Sequence, residues 1–291
     1  MKHARLILQN KNEQDFRISK ILFLFRRGRK MRILFVGDVV GLPGQEMIQS
    51  HLGALKRELR PQLTIVNGEN AASNGRGITK DIYKKLLQEG ADVVTLGNHA
   101  WDQKETKEWI DEAKKIVRPL NYPVSYGQGS VVVNVNGVKV QVINAQGRTF
   151  MLPLDDPFLA VEKEIEREKE AEIIFVDFHA ETTSEKQAFA HYFDGRVTAV
   201  CGTHTHVQTN DARCLPKGTA YVTDVGMTGP EDGILGMKKE PVIERFLTNL
   251  PQRFEVETSG TRVMSYAVID IDDKTKQAKK IEVQRIVEPW N

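Results

Sequence analysis

The stretch AVCGTHTHVQT, residues 199–209, runs apolar as far as Gly202 and then presents two histidines one residue apart, His204 and His206. A short apolar run of this kind reads as a buried strand. Glycine lets the backbone turn tightly where a strand stops, and in extended chain residues i and i+2 face the same side. The two imidazoles are therefore expected to reach two neighbouring ions or one shared site. In open α/β sheets ligands bind in the crevice beyond the carboxyl ends of the strands, so the same end of every other strand becomes the place to search.

Outward from this stretch the pattern recurs. RILFVGD (32–38) is an apolar run ending in a glycine and an acid, and PGQEMIQSHLGALKREL (43–59) follows with apolar residues at helical spacing behind a proline suited to a first turn. LTIVNGEN (63–70) and DVVTLGNH (92–99) repeat the motif, each followed by a helical pattern, at 79–89 and 103–113. VVVNVNGVKVQVIN (131–144) alternates around Asn136-Gly137, a two-residue hairpin signal that inserts an antiparallel element near the middle. A helix is expected over 156–171, strands over 173–179, 197–204 and 219–226, and a second hairpin over 262–287. The class is α/β. No repeat of fixed period stands out, and no apolar run is long enough to cross a membrane.

The strand ends carry Asp38, then Glu69 and Asn70, then Asn98 and His99, then His179, then His204 and His206. One such histidine usually makes a structural hydrogen bond, and GD or GEN is common in turns. Five polar strand ends in one chain converge on one mouth, and clusters of Asp, Glu and His mark metal sites. Oxygen and imidazole ligands without thiolate suit Mn, Fe or Zn. A bridging carboxylate with flanking His and Asn is what a two-metal centre needs, and such centres activate water against a phosphorus whose oxygens both ions clamp.

Composition sets the frame. With 291 residues, 40% hydrophobic and 27% charged, the chain can form one large α/β domain. Its formal charge of +2 hides an asymmetry: residues 1–30 hold nine Lys/Arg and two acids, leaving 32 basic and 37 acidic residues in the rest. A mildly acidic body has no electrostatic footprint for long nucleic acid, although small charged ligands fit. Cys201 and Cys214 have neither CxxC spacing nor the density of a disulfide scaffold, which points to a reducing, cytoplasmic setting. In the segment 1–30, ILFLF is too short for the core of an export signal and leads into RRGRK instead of a cleavage site. Residues 26–30 can all be written in purine-only codons, as a translated ribosome-binding site would be. Met31 is thus expected to be the start, with 1–30 a non-native or disordered extension and 31–291 the domain.

The chain resembles the calcineurin-like metallophosphoesterases and, within them, the YmdB-like bacterial phosphodiesterases. The resemblance runs from Met31 to the C-terminus on FVGDVVG, NGENAASNGRGIT, TLGNHAWD, NAQGR, DFHAE, CGTHTHVQT and TDVGMTGP. Two departures from the broad family, Val40 in place of a histidine and Glu69-Asn70 in place of the bridging aspartate motif, are features of the YmdB-like branch. The resemblance implies an α/β sandwich of two mixed β-sheets flanked by helices. It implies a dinuclear, metal-dependent phosphodiesterase of cyclic nucleotides, 2′,3′-cyclic foremost and 3′,5′-cyclic in addition, working by metal-activated hydroxide attack. Asp38, Asn70 and His206 would hold one ion, Asn98, His179 and His204 the other, with Glu69 bridging; the ions are divalent or mixed-valence, Fe or Mn before Zn. His99 would be the general acid that protonates the leaving oxygen.

Arg76 in SNGRG and Arg148 in QGR sit in glycine-containing loops and are candidates for pairing with phosphate. Glu181 and Asp102 are expected to orient histidines or cap turns, Trp101 to pack beside the mouth, and Cys201 to be a small buried hydrophobe. Two rival readings stay open, a phosphomonoesterase or nucleotidase using the same metals, and a regulatory metal-binding protein acting through a protein or RNA partner. Self-association is open too.

Overall fold

The computed structural model describes residues 31–123 and 126–290; the reading of segment 1–30 lies outside the described residues. The chain first lays down β1 (Met31–Val36), β2 (Asp38–Val39), β3 (Leu63–Asn67), β4 (Val93–Thr95) and β5 (Ile116–Val117). It then builds β6 (Ser130–Val135), β7 (Val138–Gln146), β8 (Ile173–His179), β9 (Ala199–Thr203), β10 (Arg213–Cys214) and β11 (Ala220–Val222). It returns with β12 (Met227–Pro230), β13 (Gly260–Ile271) and β14 (Ala278–Trp290). The first and last groups form one sheet in the order β2-β12-β13-β1-β3-β4-β5, with β14 paired to β13; the middle group forms a second sheet, β10-β11-β9-β8-β7-β6. Both are mixed: β1, β3, β4 and β5 run parallel, as do β7, β8, β9 and β11, while β6/β7, β10/β11 and β13/β14 are antiparallel. This is the two-sheet α/β sandwich that the resemblance implied.

Alternation along each strand builds the layers. Leu34 and Val36 of β1 join Val66 and Val94 in an apolar layer with Met47, Leu52, Leu86 and Trp109 from the helical segments. On the second sheet Val176, Phe178 and Val200 pack with Val161, Phe189 and Phe193. Phe35 of β1 meets Phe175 of β8 edge to face at 5.0 Å, so the two sheets stack through their inner faces. Removing such a ring, as in Phe175→Ala, costs about 3–5 kcal/mol.

Local chemistry explains the helices. Thr79 caps Lys80–Gln88 by accepting from Ile82 N, and Asp156 caps Pro157–Arg167 by accepting from Phe158 N and Leu159 N, with Pro157 in the first turn. Asn136 and Gly137 take φ of 54° and 91°, the left-handed pair a type I′ hairpin requires.

Three local expectations change. The helix expected over 103–113 is reduced to Thr106–Trp109 and one 3-10 turn, Ile110–Glu112. Gly202 does not turn the chain: it lies inside β9, and a Cβ there would sit 1.8 Å from Thr223 O, so glycine serves close strand approach. Nor are His204 and His206 extended. Their φ values are 103° and 64°, so the loop after β9 is held in a conformation L-residues rarely adopt.

Candidate metal centre

β1, β3 and β4 are parallel neighbours in one sheet and β8 and β9 in the other, and the polar residues at or just past their carboxyl ends are gathered in one place. Two triads result: Glu69, His179 and His204, and Asp38, Glu69 and His206, the ligand atoms of each lying within 4.8 Å of one another. Glu69 belongs to both. Its Oε1 is 3.1 Å from His179 Nε2, and Asn98 Oδ1 is 2.7 Å from the same nitrogen. His204 Nδ1 lies 3.1 Å from His179 Nε2, and His206 Nε2 lies 3.5 Å from Asp38 Oδ2. Asn70 donates its amide to Gly75 O at 2.8 Å, which leaves its carbonyl oxygen without a hydrogen-bond partner.

These residues fit cations. Asp38 Oδ1 and Asn70 Oδ1 are buried oxygens with no hydrogen-bond partner, an arrangement that costs stability unless a donor or cation meets them. Gly97 explains the space between the groups: a Cβ there would lie 2.1 Å from Glu69 Oε2 and 2.5 Å from His179 Nε2. All donors are carboxylate, amide or imidazole, the set for a hard or borderline divalent ion.

Electrostatics point the same way. Burial resists ionisation of Glu69, yet the charge and hydrogen bond of His179 outweigh it and hold the acid down at about 2. Burial likewise opposes charge on His179, but Glu69, Asp38 and Asp177 push it up to about 9. Asp38 is pushed well above the carboxylate range by burial, against the pull of His179. Burial lowers His206, and burial together with the His179 charge lowers His204 to about 3, so both rings keep lone pairs. The cluster thus draws in positive charge, held by His179 when no ion is bound, and offers the neutral imidazoles of His204 and His206 to a cation.

Behind the ligands lies a set of residues that sequence reasoning passed over. Asp177 on β8 is fully buried between the sheets and accepts from Thr95 Oγ1 at 2.5 Å, Thr203 Oγ1 at 2.7 Å and Asn67 Nδ2 at 2.9 Å. With its proton committed to Asp177, Thr203 Oγ1 accepts from His179 Nδ1 at 2.8 Å, which fixes the tautomer with Nε2 towards the cluster. The left-handed loop is pinned in parallel: Asp38 Oδ2 accepts from His204 N at 3.0 Å, and Asp224 Oδ2 accepts from Thr205 N at 3.0 Å and from the buried Lys186 at 2.7 Å. Asp177 inside the apolar run IIFVDFH was the available signal; Lys186 sits in a helix where a surface lysine would look the same.

The remaining candidates lie around the edge. His99 joins neither triad; its backbone N donates to Glu69 Oε2 at 3.3 Å and its Nδ1 pairs with Asp102 at 2.9 Å, which leaves Nε2 free. Glu181 pairs with His204 Nε2 at 2.9 Å. Trp101 packs edge to face on Tyr122, and Cys201 is buried. Arg148 is not gathered into the cluster: its guanidinium pairs with Asp156 at 2.8 Å. Arg76 is exposed on the loop that begins with Asn70.

Residues 34–284 match the YmdB-like protein family. The chain belongs to the YmdB-like family. It is 58% identical over 254 residues, 87% of this chain and 96% of that protein, to the 2′,3′-cyclic-nucleotide 2′-phosphodiesterase of Bacillus subtilis (strain 168). It is 41% identical over 265 residues, 88% of this chain and 93% of that protein, to a putative phosphatase/phosphodiesterase of Mycoplasma genitalium. A crystal structure of a novel phosphatase from Mycoplasma pneumoniae shares 39% identity at a TM-score of 0.85, covering 90% of this chain and 95% of that one. The two triads around Glu69 therefore lie within a YmdB-like fold. Among the described residues no helix is long and apolar enough to cross a membrane.

Proposed function

We propose that the chain hydrolyses phosphodiester bonds of small nucleotides, 2′,3′-cyclic nucleotides foremost, at a centre of two divalent ions bridged by Glu69. The observation that supports this most directly is the sharing of Glu69 by two ligand triads beside buried, unpartnered oxygens of Asp38 and Asn70. The bacillary relative of this chain is named for that reaction.

Asp38, Asn70 and His206 would hold one ion and Asn98, His179 and His204 the other, with Fe or Mn best suited to the donor set and Zn next. When bound, the ions supply Lewis acidity and a nucleophilic water at neutral pH. The chain's own residues do the rest. Asp102 fixes the His99 ring through Nδ1, and Nε2 carries the proton delivered to the leaving ribose oxygen. Asp177 and Thr203 keep His179 in one tautomer, and Asp224 with Lys186 holds the 204–206 loop in place.

The domain proposed is 31–291, and a chain begun at Met31 should keep its melting temperature and turnover. The unpaired Cys201 and Cys214 suit a reducing cytoplasm. The deciding experiment is a panel of 2′,3′-cyclic, 3′,5′-cyclic and linear nucleoside monophosphates with metal analysis of anaerobically purified protein. Hydrolysis of the monophosphates alone would replace this reading with a nucleotidase.

A further inference from the structure

A cavity of about 630 Å³ lies on the flank of the loop that carries Asn70. Three of its lining residues are cations, Arg76, Lys238 and Arg253, against one acid, Glu255, which is itself paired to Lys238 at 2.9 Å. Among the described residues neither Arg76 nor Arg253 makes a hydrogen bond or salt bridge through its guanidinium. Such a local excess stands out in a body whose acids outnumber its Lys and Arg. Phe254 lines the same cavity, 37% exposed, and offers a face for stacking.

The cavity wall is tied to the centre. Asn74 Oδ1 accepts from Arg76 N at 3.1 Å and from Gln103 Nε2 at 3.2 Å, and Gln103 Nε2 also donates to Arg76 O at 2.6 Å. Gln103 stands four residues after His99, so the two loops bearing Asn70 and His99 brace this wall together. Gly75 packs against Met237 and Val256, which seats the wall on the segment that carries Arg253 and Phe254.

Resting on the phosphodiesterase reading, we propose that this cavity is a second nucleotide subsite, taking a non-scissile phosphate on Arg253 and Arg76 and a base on Phe254. The favoured substrates are then short oligonucleotides that end in a cyclic phosphate. Unpaired guanidinium groups bind phosphate bidentately, and a neighbouring aromatic face stacks any base. Three cations around one cavity span only a short length of strand, in keeping with the acidic body.

The test compares a 2′,3′-cyclic mononucleotide with a dinucleotide that carries the same cyclic end and one internucleotide phosphate. Expected is a kcat/KM roughly tenfold or more higher for the dinucleotide, expressed in KM, the size of a hydrogen bond to a charged group. Arg253→Ala and Arg253→Glu should bring that ratio close to one. Independently of turnover, calorimetric titration of metal-free protein with a linear deoxydinucleotide should show binding that weakens about tenfold in Arg253→Ala and falls as salt rises. Equal kcat/KM for both substrates, with binding unchanged in the variants, overturns the subsite and leaves the phosphodiesterase reading standing. Loss of hydrolysis of both substrates by the unaltered protein overturns that reading instead, and the titration still decides the subsite.

Discussion

The floor and the rim of the centre are built differently. On the floor Glu69, Asp38 and His179 are 1%, 1% and 0% exposed; the two acids each accept from a backbone N–H, of His99 and His204, and the His179 ring is held by the side chains of Thr203 and Asn98. On the rim His99 and Asp102 hold each other with side chains 25% and 37% exposed, and Arg76 is held through its backbone alone. A floor with no freedom can present charge already oriented, where electrostatic preorganisation is worth most. A rim with single tethers can follow a substrate. Mutations should accordingly abolish metal binding on the floor and alter rate or substrate preference on the rim.

Glu69→Gln puts that contrast under its heaviest load. Glutamine keeps the shape and removes the one charge shared by both triads, so the purified variant should contain less than one equivalent of metal and turn over at background. Asn98→Ala, which touches one triad only, should retain more. Two tightly bound ions and normal turnover in Glu69→Gln would move the bridge elsewhere.

His99→Ala asks whether the rim works without the floor. The ring belongs to neither triad, so both ions and the fold should survive while the rate falls roughly 10²–10⁴-fold, the usual contribution of a positioned acid or base. Because p-nitrophenolate leaves readily without a proton, the defect should shrink on a p-nitrophenyl ester and remain full on a ribose phosphodiester. Equal impairment on both substrates, or loss of metal, would erase the distinction between rim and floor at this residue.

Thr203→Val probes how the floor is kept rigid. Valine matches the shape but leaves a buried oxygen of Asp177 without one of its donors and His179 Nδ1 without its acceptor. Each costs about 1–3 kcal/mol of folding stability, and loss of such a partner behind a ligand typically costs 10–100-fold in metal affinity. Thermal unfolding of metal-free protein and a competitive metal titration would read the two effects separately. Thr203→Ser, which keeps the hydroxyl, should restore most of both; an unchanged metal affinity in Thr203→Val would mean that β8 and β9 alone fix the ring.

The two regions also differ in how far the sequence discloses them. Strand ends are easy to read because an apolar run and the polar residue that closes it are neighbours in the chain, which is why Asp38, Glu69, His179 and the two loop histidines stand out in the sequence by themselves. Partners that meet across the gap between sheets leave no local trace. Thr95, Asn67 and Thr203 converge on Asp177 from three other strands, and each is an ordinary strand or turn residue by itself. Backbone shape is hidden for a related reason. The positive φ of His204 and His206 runs against residue preference, and the loop is held there by Asp38 and Asp224, which accept from His204 N and Thr205 N, and by Met227 N, which donates to His206 O, none of them a near neighbour in the chain.

Arg148 gives the smallest expected effect and draws the outer limit of the rim. QGR resembles a phosphate-binding turn in sequence, as SNGRG does, yet the two arginines have opposite circumstances. Arg76 has a free guanidinium, whereas that of Arg148 pairs with Asp156, the residue that also caps the following helix. An arginine already engaged in this way must give up its partner before it can take a phosphate, and the exposed pair is worth only about 0–1 kcal/mol to stability. Arg148→Ala should therefore melt within a few degrees of the parent and hydrolyse cyclic mononucleotides with kcat and KM nearly unchanged. A KM raised tenfold or more, with metal content intact, would show that Asp156 surrenders the guanidinium when substrate arrives, and the boundary between structural and substrate-facing arginines would have to be redrawn beyond this loop.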